Sequence, residues 1–505
     1  MLSFIDRWID RTTMYRLVLY YLLVLLGGAF LLGMFRVIAI DPTALAFSAV
    51  LVTAACWLAN LVFARVFGAV PNHESVYITA IILALILDPT TATNLPGVGL
   101  LLFASVWAMA SKYILAARRR HIFNPAAIGV ALPGLLLAQP ASWWISTVTL
   151  LLPVILLGGV LLVRKLRRFD LILAFAAANL LATFLTSASG DALMQLRLTV
   201  LESPFLFFAF VMLTEPLTAP QHKVWRLVYG ALVGLLASPN IQIAGYYFTP
   251  EVALLVGNLL TFAVSPQGRV MLTLEGIEEA ASGAYDFVFR ADRRLVFAAG
   301  QYLEWTLPVK RPDDRGNRRY FTIASAPADE KVRLGVKFAA EGSAFKRELA
   351  ELRPGDSVVA SQLAGSFVLP ADPGRKLAFI AGGIGITPFR SMLEDLLGRE
   401  ERRPIVVLYG NRHVSEIAYG NILDEARRRL GVVTHYAVLE EDGASPDMYI
   451  GFIGERLIRE AVPDFAERTF YISGPQSMVE AERRLLRRMG IPFWRIKTDF
   501  FPGLA

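Results

Sequence analysis

"FIAGGIGITPFRSML" spans Phe379 to Leu393 and sets Gly382, Gly383 and Gly385 between an apolar run and a stretch that reads as a helix. Glycine lets a backbone turn sharply and come close to a ligand. The helix that follows aims its unpaired N–H groups and the positive end of its dipole at whatever rests on the turn. Such a turn is a seat for phosphate. Strand–glycine–helix turns also arise for packing alone, so this segment by itself leaves both readings open.

The surroundings divide in two. Of 505 residues, 55% are hydrophobic and 18% charged, too apolar for a soluble protein of this size. Almost all of the excess lies in 1–265, whereas 266–505 alternates charged and apolar residues as a water-soluble chain does. The net charge of +7 sits in short clusters between apolar runs and not along one soluble face, which points away from nucleic acid. The single cysteine, Cys56, excludes an internal disulfide and an iron–sulfur cluster held by four thiolates. "MLSFIDRWIDRTTMYR" has no small-residue cleavage site before the first long apolar run, so it reads as a retained lead-in.

A helix crossing a bilayer needs about 20 apolar residues. Such runs lie near 16–35, 44–63, 143–163, 170–189 and 245–265, with less uniform ones near 122–139, 201–214 and 226–239. Two more, 76–88 and 97–110, are short and flank the breakers "DPTTATNLPG" (88–97). They fit either two tilted helices or the discontinuous segments that line cofactor and ion sites. Ten crossings leave both ends of this half on one side. Lys112, Arg118, Arg119, Arg120, Arg164, Lys165, Arg167, Arg168, Lys223 and Arg226 fall in alternate loops, after Arg7, Arg11 and Arg16 at the start, while the opposite loops hold little beyond Arg36 and Arg197. The positive-inside rule then puts the N-terminus and everything after residue 265 on the cytoplasmic side of the cell's inner membrane. Asn60, Asp88, Asn124, Asn179, Glu215 and Asn258 are polar groups at or near the spans, where a cavity or partner is expected; Glu74 and Glu202 read as span ends reaching headgroups.

"RRRHIFNPAAIG" (118–129), "FVMLTEPLTAP" (210–220) and "TAIILALILDP" (79–89) resemble the D-type membrane component of Rnf electron-transport complexes and the B-type membrane component of sodium-pumping NADH:quinone reductases. The resemblance covers most of 15–265 and implies a ten-helix bundle holding flavin. That family attaches FMN to a threonine in a Ser-Gly-Ala-Thr-like segment; the nearest stretch here, "TSASGD" (186–191), lacks the threonine in place. A noncovalent FMN or riboflavin is therefore expected, with Asn124, Thr214, Glu215 and Thr218 as candidates for its surroundings. The alternative is that these Asn-Pro and Glu-Pro steps only cap and break helices. Haem fits poorly, because His73, His121 and His222 each lie beside a loop on one side, and pairs of axial histidines toward both faces cannot be built from them.

In the second half, "VMLTLEGIEEA" (270–280), "AYDFVFRA" (284–291) and "QYLEWTLPV" (301–309) read as strands of an antiparallel β-barrel. "RRYFTIASAP" (318–327) follows. Its Arg319 can pair with a pyrophosphate, Phe321 can lie against an isoalloxazine, and Thr322 can donate to the ring's N5 edge; an edge strand with incidental Arg and Thr is the alternative. Five motifs in order decide it: Arg-x-aromatic-Thr-x-x-Ser (319–325), Gly-x-Phe (365–367), Gly-Gly-Ile-Gly-Ile-Thr-Pro (382–388), "LYGNR" (408–412) and "YISGP" (471–475) resemble the ferredoxin–NADP reductase superfamily. The resemblance implies an FAD barrel (266–373) followed by a Rossmann-like α/β NAD(P)-binding domain (374–505). Carried over, Arg319, Tyr320, Phe321, Thr322 and Ser325 fall on the FAD motif, and Gly342, Ser343 and Lys346 on a second flavin-phosphate loop. Gly382, Gly383, Gly385, Thr387 and Pro388 match the pyrophosphate turn, and Gly474 and Pro475 the helix start near the nicotinamide. Arg412 and Tyr419 stand where NADP-specific relatives hold the ribose phosphate and the adenine, which favours NADPH, although Arg412 could instead pair with Glu416. Phe500 or Phe501 offers an aromatic lid on the flavin or a plain hydrophobic plug.

Together these imply a membrane-bound NAD(P)H-dependent flavoprotein oxidoreductase. Electrons would pass from NAD(P)H through FAD to a membrane flavin, then to quinone or an outer-face acceptor. Hydride transfer needs no catalytic acid or base, and none is assigned. The alternatives are a redox-sensing transporter and a component of a larger ion-pumping redox complex.

Overall fold

Backbone placed in hydrocarbon has no water to bond, so the apolar runs of the first half must satisfy their N–H and C=O groups locally, as helices. The computed structural model describes residues 9, 12–68, 73–117, 120–187, 191–243, 245–265, 268–309, 316–338 and 342–499. Contacts divide the chain into two units, Met1–Gly268 and Arg269–Ala505. Arg7, Arg11, Arg118, Arg119, Phe500 and Phe501 lie outside the described residues, as does the His73 side chain.

The first unit contains α1 (Met14–Met34), α2 (Pro42–Val66), α3 (His73–Ile86), α4 (Leu95–Ile114), α5 (Pro125–Leu137), α6 (Leu152–Leu166), α7 (Phe169–Thr186), α8 (Ala192–Leu201), α9 (Lys223–Leu236) and α10 (Pro250–Val264). Their starts follow capping chemistry: the side chains of Thr13, Asp41, Asn94 and Asn124 each accept a first-turn N–H, and Pro42, Pro96 and Pro125 occupy first turns where no donor is lost. Five helices among the described residues are long and apolar enough to cross a bilayer: α1, α2, α4, α7, and α6 with the 3-10 turn that leads into it. The short reading of 97–110 is corrected. Asn94 caps a continuous helix of 20 residues that runs on to Ile114. The runs at 143–163 and 201–214 are not straight spans. Trp143 takes a left-handed φ of 53° before a four-residue helix, and the second run bends by 58° from α8 at Ser203-Pro204 and ends in a π-helical turn, Phe208–Met212. α3, α5 and α10 are shorter than a straight crossing.

The second unit begins with an antiparallel sheet of β1 (Val270–Ala281), β2 (Ala284–Ala291), β3 (Tyr302–Thr306), β4 (Arg318–Thr322), β5 (Lys331–Lys337) and β6 (Ser357–Ala364), in the order β4-β3-β6-β1-β2-β5. Alternate residues such as Leu272, Leu274, Phe287, Phe289, Leu303 and Trp305 fill its interior. Just past β4, the Ala324 N–H donates to the Arg333 carbonyl of β5 at 2.9 Å, which brings the two edge strands together. A short helix, α11 (Ala344–Ala350), follows β5.

The rest is a parallel sheet of β7 (Leu377–Gly382), β8 (Ile405–Asn411), β9 (Val433–Val438), β10 (Tyr449–Ile450), β11 (Thr469–Ser473) and β12 (Ile496–Asp499). Between them run α12 (Thr387–Arg399), α13 (Gly420–Leu430), α14 (Glu455–Ala461) and α15 (Gln476–Arg488). Every residue of β7 is buried, as a central parallel strand covered on both faces requires. The order β10-β9-β8-β7-β11-β12 reverses direction between β7 and β11, and a crevice opens at the carboxyl ends of strands where such a reversal occurs.

Candidate functional site

β7 ends at Gly382, and the chain turns through Gly383–Ile386 into α12 with Pro388 in its first turn. Gly383 has φ 52°, in the left-handed region, and a Cβ placed there meets nothing within 4 Å. Space and backbone conformation both fit a ligand lying on the turn. Gly385 serves a different end: a Cβ there would stand 2.5 Å from the Gly474 Cα and 2.6 Å from the Ser473 carbonyl oxygen. That close approach fastens the turn to the end of β11. Gly382, Gly383, Gly385, Thr387, Pro388, Gly474 and Pro475 thus gather at the reversal point, where α12 and α15 both begin.

Of the two residues expected on the far part of a nucleotide, Arg412 is exposed, and its guanidinium has no acidic partner among the described residues. Glu416 pairs instead with Lys337 at 2.7 Å and accepts the Arg412 backbone N–H. Tyr419 is 7% exposed and packs in the core under α12, with its hydroxyl donating to Asp286 of β2.

On the flavin side, Arg319 lies over the Phe345 ring at 5.4 Å, and Phe321 packs on the same ring at 5.8 Å. Ser343 caps α11 by accepting the Lys346 N–H, and the Lys346 ammonium reaches the Lys337 carbonyl at 2.8 Å. Gly342, beside them, accepts from Arg347. The motif residues on β4 and the second loop therefore come together around Phe345, which the sequence reading passed over. Tyr320 points the other way, to Gln362 and Tyr302, and is 40% exposed. Ser325 is 1% exposed; its hydroxyl accepts the Arg333 N–H and its carbonyl accepts from Ser391.

The two sides meet through Asp499. Thr322 donates to its carboxylate at 3.5 Å, and Asp499 is the register partner of Ser473, whose carbonyl borders Gly385. Asp499 stands in "KTDFFPGLA", where the two phenylalanines drew the sequence reading instead.

A second polar cluster lies in the first unit. His121 and Glu215 approach to 3.3 Å, Thr218 donates to Glu215 at 2.8 Å, and the Thr214 hydroxyl turns back to the Phe210 carbonyl. Asn258, fully buried on α10, accepts the Asn124 N–H at 2.8 Å and donates to the Thr218 carbonyl and the Tyr229 hydroxyl. The sequence candidates Asn124, Glu215 and Thr218 are thus tied into one group, with His121, Tyr229 and Asn258 joining them; Thr214 is buried in the same turn.

A buried acid without a full set of partners lies outside both clusters. Glu482 on α15 is 6% exposed, its Oε2 has no hydrogen-bond partner among the described residues, and burial pushes its carboxyl up to about 7. A carboxyl with a raised folded pKa holds its proton more tightly when folded, so stability falls as the pH rises from the unfolded value toward about 7 and stays low above it. Glu482→Gln is expected to stabilise the chain by about 2 kcal/mol near pH 8.5 and by little near pH 5, read from thermal unfolding in detergent. An equal shift at both pH values would contradict the assignment.

Residues 379–484 match the family described as oxidoreductase NAD-binding domain, and residues 144–266 match the NQR2, RnfD, RnfE family. The flavohemoprotein of Pseudomonas putida is 28% identical over 41% of this chain and 51% of its own length. The reductase component 1 of terephthalate 1,2-dioxygenase from Comamonas sp. is 28% identical over 41% of this chain and 60% of its own. The chain spans about half the length of the curated relatives it matches. Among solved structures, the Amycolatopsis cytochrome P450 reductase GcoB aligns with a TM-score of 0.41 at 24% identity, covering 46% of this chain and 68% of that one.

Proposed function

We propose that this chain is an NAD(P)H-dependent flavoprotein oxidoreductase of a cell's inner membrane. It would carry electrons from cytoplasmic NAD(P)H through FAD in the second unit to a noncovalently held FMN or riboflavin in the first, and on to quinone or an outer-face acceptor. The observation that carries the reading is the short path from Thr322 through Asp499 and Ser473 to Gly385, which joins the flavin motif to the nucleotide turn. The matched families add that an oxidoreductase NAD-binding domain and a membrane domain share one chain.

FAD would supply the change from two-electron to one-electron chemistry. The residues bind and orient. Arg319, braced on Phe345, offers a planar cation for a pyrophosphate; Thr322, whose proton goes to Asp499, offers its hydroxyl oxygen at the ring's reacting edge. The Gly383 turn and the start of α12 receive the dinucleotide's phosphates. The Arg412 guanidinium, without an acidic partner among the described residues, favours NADPH over NADH. In the first unit, the His121, Asn124, Glu215, Thr218 and Asn258 group would hold the polar edge of the second flavin. A connection of only five residues, 265–269, keeps the units at high effective concentration.

Extraction of the purified full chain tests this. Two flavins per chain, neither covalent, are expected. One flavin removes the membrane centre, and none removes the proposal.

A further inference from the structure

The helix that starts at the nucleotide turn is tied to the segment that follows the flavin motif. On α12, the Arg390 guanidinium donates to the Ala324 carbonyl at 2.5 Å and pairs with Glu394 at 2.6 Å. The next residue, Ser391, donates its hydroxyl to the Ser325 carbonyl at 2.7 Å. Arg390 is 6% exposed and Ser391 fully buried. Both acceptors lie within three residues of Thr322.

A second tie joins the same two layers. The Tyr419 hydroxyl donates to Asp286 Oδ1 at 2.5 Å, across 133 residues of sequence. Asp286 is 3% exposed on β2 and also faces Arg333, 3.5 Å from its other oxygen. The Arg390 guanidinium covers the Tyr419 ring at 5.2 Å, so the two ties share a member. β5 runs so close here that at Gly335 the Thr387 methyl and the Tyr419 hydroxyl take the space a side chain would need. Tyr419 holds a left-handed φ of 59°, a costly conformation for a residue with a side chain, which persists where surrounding contacts over-determine it.

We propose that Tyr419, together with Arg390 and Ser391, is a positioning device for hydride transfer. It holds α12, which starts at the dinucleotide turn, against the segment after the flavin-motif strand, and the start of α13 against β2, and so sets the distance and angle between the two rings. The inference rests on the reading of the two sites given above. Hydride leaves the dihydronicotinamide, which is oxidised, and joins the flavin, which is reduced; neither tie touches the reacting atoms. Their effect is geometric, and a misplacement of about 1 Å between reacting groups costs about a hundredfold in rate.

The test is anaerobic stopped-flow reduction of the full chain in detergent, with NADPH and its deuterated form. Tyr419→Phe keeps the ring beneath Arg390 and removes only the hydroxyl. The saturating rate of flavin bleaching is expected to fall about tenfold or more, with a weaker flavin–nicotinamide charge-transfer band and an altered isotope effect, while half-saturation by NADPH moves less than about twofold. Asp286→Asn, which keeps an acceptor oxygen, is expected to lie between. An unchanged rate and band would overturn the proposal. So would a raised half-saturation at a normal rate, which would return Tyr419 to the adenine. Should Tyr419→Phe fail to fold, Ser391→Ala breaks the other tie and is read by the same outcomes. A wild-type chain whose flavin NADPH does not bleach overturns the site reading itself, separately from the variants.

Discussion

Gly383→Val is expected to abolish NAD(P)H oxidation, by a factor of at least about 100, while the purified protein keeps its flavin. Two effects act together. A β-branched residue at φ 52° is a strained outlier, so the turn would shift toward a conformation that no longer points its N–H groups outward. The two methyls would also enter the open space in front of the turn, which is where a pyrophosphate would have to lie. The flavin motif is untouched, because Arg319 and Phe321 on β4 form their contacts with Phe345 of α11. Absorbance of the purified variant and its NADPH-dependent reduction of ferricyanide measure both halves of the claim. Normal turnover would remove the nucleotide from this turn.

How much of this was legible in sequence differs between the halves, for a physical reason. In the second unit, a glycine turn, a strand motif and their order are local features, and the sheets bring them together. The burial of Tyr419 and Ser325 was not legible, because sequence gives a residue's place along the chain and not which way it faces. The hydroxyl of Tyr419 finds Asp286 across 133 residues, and no local pattern announces such a partner. Asp499 was missed for the same reason.

In the membrane half, apolar runs announce helices but not where they break. Trp143, Ser203-Pro204 and the π-helical turn at Phe208–Met212 interrupt runs that composition alone reads as continuous. At two of these breaks hydroxyls take up backbone groups: Ser203 accepts the Phe205 N–H and donates to the Thr199 carbonyl, and Thr214 donates to the Phe210 carbonyl. Asn124, Glu215 and Thr218 could be singled out because each stands at or near an Asn-Pro or Glu-Pro step. Asn258 sits in the middle of an apolar helix without such a mark, yet it holds the group together.

On the proposed electron path, Asn258→Leu should therefore separate the FAD half from the membrane half. The substitution keeps the size of the side chain but removes the acceptor for the Asn124 N–H and the donor to the Thr218 carbonyl and Tyr229 hydroxyl. Each buried group left unpaired costs about 1–3 kcal/mol, and the start of α5 and the Glu215–Thr218 turn are free to relax to recover it. A loss of about 2 kcal/mol in binding would weaken retention of a flavin there about thirtyfold. NADPH-to-ferricyanide activity should stay at the wild-type level, since no residue of the second unit changes. Extractable flavin should drop from two per chain toward one, and NADPH-driven quinone reduction should fall with it. If the variant kept both flavins and reduced quinone normally, the Asn258 group would be a helix-capping network and not the proposed flavin site.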